Sequence, residues 1–227
     1  MNQALPISEL SAQAQGSFLL RVYGQLTLAI ITFVLLEVWF FQSGVADVIL
    51  QVVSSVSWLV ILGGFMLLSW LATFLAAPTV ARPWQYLGFF LYVLLQAIIT
   101  VPLLAVANQT APGVIASAAQ VTLGGFLLLT GVVVFTRRDF SFLKTFLVWG
   151  GIFGLGVIVA AVLFNFDLGT WFSVAMILLA GGSVLYTTSN VLRSTSQEGD
   201  VAAAIQLFAG IALMFWYVLR LFIGGRR

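Results

Sequence analysis

The chain has no cysteine and no histidine, and charged side chains make up only 7% of its 227 residues. Without cysteine there are no disulfides, and cysteine usage says nothing about redox compartment. Without both residues, zinc, copper and iron–sulfur centres lose their usual ligands. A metal here is a hard cation held by oxygen. Proton sensing falls to carboxylates, because the side chain that titrates near neutrality is missing. The formal charge is +2 and the basic residues are scattered, so no nucleic-acid footprint is present.

What is present is apolar surface. The sequence is 62% hydrophobic, with mean hydropathy +1.14. Soluble domains carry roughly 25% charged residues, so most of this chain has lipid as its solvent. One bilayer crossing takes about 20 apolar residues. The pattern predicts seven crossings, over 18–41, 57–77, 86–107, 113–135, 143–164, 171–193 and 201–224. The expected architecture is an all-α membrane protein of seven transmembrane helices. Residues 1–17 read as a short polar tail, 18–224 as the membrane domain and 225–227 as a basic C-terminal tail. Segment 42–56 is amphipathic and suits a short interfacial helix.

Polar breaks separate the runs. Pro78 and Arg82-Pro83 interrupt the chain after the second. Asn108 to Gly113, Thr136 to Ser141, Asn165 to Gly169 and Ser194 to Asp200 separate the later ones. With alternating crossings, Arg21, Arg82, Arg137, Arg138, Lys144 and Arg193 fall at one end, while the opposite loops hold no Lys or Arg. The positive-inside rule then makes the N-terminus cytoplasmic. Arg220, Arg226 and Arg227 conflict with it at the far end; the internal loops favour seven crossings. Trp39, Trp58, Trp84 and Trp171 lie near run ends, as in an interfacial aromatic belt.

Gly150 and Gly154 sit four apart, a spacing that lets helices approach closely. The last run opens on Val201-Ala202-Ala203-Ala204, thin enough for a crowded central position; alanine as a plain helix former explains it equally well. Charges inside a bilayer are costly and mark function by default. Glu37 lies one turn from the outer end of the first run and is a candidate for holding a proton or cation, against a plain role at the headgroups. Arg21 and Arg220 read as snorkelling anchors. Tyr186, Thr187, Thr188, Gln96, Gln120 and Gln206 suit interhelical hydrogen bonds or a narrow hydrated path. The last run has no lysine for a retinal Schiff base, and the chain has no histidine for a serine–histidine protease. No enzyme, cofactor or dedicated metal site is expected.

Four segments are similar to stretches of one known family of membrane proteins. Leu185-Tyr186-Thr187-Thr188-Ser189-Asn190 is similar to a signature that carries an aspartate where Thr187 stands. Phe18-Leu19-Leu20-Arg21-Val22-Tyr23-Gly24 is similar to the start of the first helix. Thr136-Arg137-Arg138-Asp139-Phe140-Ser141-Phe142-Leu143 resembles the fourth-to-fifth turn. Leu207 to Phe222, with Arg220, resembles the last helix. Together these segments resemble the Bax inhibitor-1 family, and the resemblance implies seven helices with the last at the centre, and a pH-sensitive calcium leak controlled by an aspartate pair. Carried across, that pair falls on Thr187 and Gly210, neither of which titrates.

Three readings stand on the sequence. One is a calcium leak in a cell's inner (plasma) membrane, with pH control altered by the missing aspartates. Its ion-path candidates are Glu37, Thr187, Gly210, Tyr186 and Gln206. The second is a membrane-embedded modulator of a membrane protease or stress response, acting through helix contacts. The third is a small-molecule transporter. All three share the lipid bilayer as a partner.

Overall fold

The polar breaks cut the chain into helices close to the expected positions. A computed structural model describes residues 12–110, 112–193 and 199–225. Eight helices are present among them: α1 Ala12–Ser43, α2 Val45–Ser55, α3 Trp58–Leu75, α4 Arg82–Thr110, α5 Val114–Thr136, α6 Leu143–Phe164, α7 Gly169–Arg193 and α8 Asp200–Gly224. Seven are long and apolar enough to cross a membrane, and the eighth is the short α2. No strand occurs among the described residues. Residues 1–11 of the polar tail, Ser194 to Glu198, and Arg226 with Arg227 lie outside the described residues.

Two helices, α1 and α4, start well before the hydropathy pattern predicts. α4 begins at Arg82, so Pro83 lies inside its first turn. Proline is tolerated there because the first N–H groups of a helix have no partner inside it. α1 begins at Ala12, in a stretch that reads as polar tail. Hydropathy marks where lipid begins, and a helix continues past that level wherever its backbone stays bonded. Gly113 (φ 81°) and Arg137 (φ 50°) take left-handed conformations at the two ends of α5. These residues set the turns on either side of that helix.

α8 is the central helix, packed against α1, α4, α5 and α7. Two thirds of its apolar window (67%) is buried inside the protein, against 6% for α3. A buried cluster joins Ala204, Leu207, Phe208 and Ile211 of α8 to Phe18 and Val22 of α1, Phe89 and Val93 of α4, Ala118 of α5 and Val184 of α7. The Phe208 ring meets Phe33 and Tyr92 edge-on at 6.0 and 6.3 Å. The outer faces of α3 and α6 carry Met66, Leu67, Trp70, Trp149 and Phe153 exposed, as lipid-facing surfaces do.

Small residues set the close approaches. A Cβ on Gly150 would sit 2.6 Å from Leu179, and one on Gly154 would sit 3.0 Å from the Met176 sulfur, so these glycines bring α6 against α7. Gly88 is tighter: a Cβ there would lie 2.4 Å from the Ala72 carbonyl oxygen, which fixes α3 against α4.

Candidate functional site

Alternating helices bring the starts of α1, α4 and α8 to one end of the bundle. There Asp200, the first residue of α8, is wholly buried. Arg82 Nη1 donates to its Oδ1 at 2.6 Å. Gln25 Nε2 donates to its Oδ2 at 3.0 Å, and Arg21 Nε lies 3.7 Å from the same oxygen. Arg82 also reaches Gln85 Oε1 at 3.5 Å, and Gln85 Nε2 donates to the Val80 carbonyl at 2.7 Å. One carboxylate thus joins three helices. Its position on the first turn of α8 also places negative charge at the positive end of the helix dipole.

Asp200 was not among the candidates read from the sequence, where it belonged to a loop. A local signal exists: an acidic residue directly after Gly199 opens an apolar run, in a chain with only seven acidic residues. Its partners are remote in sequence, so only the fold identifies them. Arg21, expected as a plain anchor, also faces Asp200 and lies over the Phe18 ring at 6.0 Å.

At the same end the fold joins two of the motif segments. Ser189 of α7 accepts the Phe140 N–H at 3.2 Å and donates to the Arg138 carbonyl at 3.4 Å. Arg193 donates to the Arg137 carbonyl. Asp139 accepts the Ser141 N–H at 2.8 Å. Hydrogen bonds from Ser141, backbone first and hydroxyl second, hold the Asp139 carboxyl below its ordinary range, and Arg193 adds attraction. The 137–141 turn is therefore clamped onto the end of α7.

The remaining candidates are spread through the bundle. Thr187 is buried on α7. Gly210 of α8 faces Val184, to which a Cβ would approach within 3.0 Å. Gly181 faces Met214 in the same antiparallel register. That register sets Thr187 level with Leu207, about one helical turn, or ~5 Å, from Gly210. Tyr186 is half-buried and Gln206 exposed. Thr188 is fully buried; the Tyr23 hydroxyl lies near its hydroxyl and near that of Thr130, without hydrogen-bond geometry to either. Glu37 is 6% exposed, and neither of its carboxylate oxygens has a partner among the described residues. No group of three or more acidic side chains converges among the described residues.

Arg220 lies at the opposite end, in a cavity of about 880 Å³ between α3, α4, α6 and α8. Trp58 and Trp216 stack in its wall, with ring centroids 6.4 Å apart.

Comparison with known proteins agrees with this architecture. Uncharacterized protein PA2604 of Pseudomonas aeruginosa is 30% identical over 110 residues, covering 48% of this chain and 49% of that protein. The chain thus spans about half the length of this relative. The family described as Inhibitor of apoptosis-promoting Bax1 matches residues 15–227, nearly the whole sequence. The seven-span helical bundle described above is thus that of a multi-pass membrane protein belonging to the Bax inhibitor-1 family.

Proposed function

We propose that the protein is a slow cation leak, with calcium as its principal cargo, held shut at its arginine-bearing end. The observation that carries this reading is buried Asp200, paired with Arg82 and Gln25 at the start of the central helix. A buried carboxylate needs counter-charge. Here the charge comes from two guanidiniums that are each more than 40% exposed. Half-exposed partners exchange more readily than buried ones, and an arriving cation competes with them for the same oxygens. Displacing Arg82 frees the start of α4 from α8 and loosens the bundle at that end.

On this reading the arginine-bearing end faces the cytoplasm of a cell's inner membrane, in line with the positive-inside rule. Thr187 and Gly210 give the path no titrating pair, and Glu37 is the buried carboxylate left to meet a cation on its way. The test is calcium and potassium flux in liposomes holding the full chain. Asp200→Asn and Arg82→Gln are expected to raise calcium flux several-fold above wild type. Absence of flux in the wild type and both variants, all folded, would reject the leak.

A second reading is a membrane-embedded modulator of a protease or stress response. It draws on the outer surface of α3, where Gly63 and Gly64 have open space for a partner helix. Co-purification of a membrane protease that Gly64→Leu abolishes would favour it.

A further inference from the structure

The cavity at the Arg220 end has the dimensions and charges of a lipid site. It is lined from Tyr92 to Leu103 on α4 and from Ala209 to Arg220 on α8, each stretch about 16 Å along the helix axis. That is close to half of a bilayer's ~30 Å hydrocarbon core, the depth of one leaflet. Its volume, about 880 Å³, lies within the ~300–1,000 Å³ of pockets that hold small molecules. The inner walls are mostly apolar: Leu62 and Phe65 of α3 and Leu155 and Ile158 of α6 line them, with Gln96 of α4 as a polar exception.

The charges sit among the residues at one end. Arg220, from the last turns of α8, and Asp167, from the α6–α7 loop, both line the cavity. Arg220 makes no hydrogen bond or ion pair with the described residues, and the Tyr217 ring lies near it. A mostly apolar slot with one cation and one anion at one end matches an amphiphile whose head carries both signs.

We propose that this cavity binds one phospholipid with a zwitterionic, primary-ammonium headgroup, as in phosphatidylethanolamine. An acyl chain fills the slot between α3 and α6. The phosphate lies against the Arg220 guanidinium, a strong pairing for a planar donor. The ammonium donates to Asp167. A choline head has no N–H to donate, and a glycerol head has no cation, so each satisfies one of the two side chains less well. The site goes beyond the leak reading and does not depend on it: it lies at the end opposite Asp200, and its occupancy is measured without flux.

The test is native mass spectrometry of the full chain given an equimolar mixture of phosphatidylethanolamine, phosphatidylcholine and phosphatidylglycerol with identical acyl chains. The wild type is expected to retain one lipid, with phosphatidylethanolamine at least threefold over the others. Gly151→Leu fills the slot from a position where a Cβ meets nothing within 4 Å; occupancy should fall at least tenfold while the melting temperature holds. Asp167→Asn, in an exposed loop, should erase the preference over phosphatidylglycerol and leave a lipid bound. This arm decides the headgroup assignment even if the filled helix misfolds. Retention of no lipid by the wild type, equal retention by a folded Gly151→Leu chain, or a preference that survives Asp167→Asn would each overturn the proposal.

Discussion

Arg82 and Asp200 lie 118 residues apart in sequence and 2.6 Å apart in space. The contact ties the first turn of α4 to the first turn of the central helix. Two of the chain's few charges thus meet at the end of a bundle whose interior is otherwise mostly apolar.

Breaking that pair should cost stability. Removing one partner of a fully buried ion pair costs ~3–5 kcal/mol, and the half-exposed guanidiniums reduce this to about 1–3 kcal/mol for Asp200→Asn. Arg82→Lys should show only part of that loss, since one ammonium keeps the charge but replaces a fork of donors. Melting temperatures in detergent follow both. An unchanged Asp200→Asn melting temperature would show that the junction does not hold the bundle.

Ser189 bridges α7 to the 137–141 turn through two hydrogen bonds. Ser189→Ala leaves the Phe140 N–H and the Arg138 carbonyl without this partner, at a cost of about 1–2 kcal/mol. Hydrogen exchange of the Phe140 amide should quicken in the variant. Equal exchange rates would remove Ser189 from the clamp.

Gly88→Ala should separate α3 from α4, because the new methyl group would sit 2.4 Å from a backbone oxygen that cannot step aside. Overpacking of this kind costs about 1–3 kcal/mol. Gly63→Ala on α3 meets nothing within 4 Å, and serves as the matched control that should hold or gain stability through helix propensity. Similar melting temperatures for the two variants would contradict the close approach.

Glu37 is buried without a partner among the described residues, and the polar group it buries is costly. Glu37→Gln keeps the shape and removes the charge. Calcium flux should fall several-fold in liposomes if the carboxylate meets the ion. Flux equal to wild type at every calcium concentration would leave Glu37 with a structural role only.

The Asp139 carboxyl is held below its ordinary range by Ser141 first and Arg193 second. A depressed carboxylate contributes stability that is present above its unfolded value, near ~4, and is lost as pH falls through the lower folded value. Wild-type melting temperature should therefore drop on acidification below about pH 4. Asp139→Asn should show less of that drop. Superimposable acid curves for the two chains would exclude this carboxylate as a contributor.

Composition and spacing by themselves determined the membrane class and the number of crossings, because lipid demands long uninterrupted apolar helices. The thin Ala-rich start of the last run hinted at its central place, and Gly150 with Gly154 marked a real close approach to α7. The turn 136–143 and the segment 185–190 were legible as separate motifs; that Ser189 joins them was not. Only the tertiary structure decided that Asp200 collects Arg82, Gln25 and Arg21, that Gly210 faces Val184, and that Arg220 and Asp167 line one cavity. Hydropathy runs along the chain and reports the solvent each segment meets. These pairings depend on the rotation and axial offset of one helix against another. In a bundle whose interior is mostly apolar, many side chains share the choice of offset, and no single local pattern carries it.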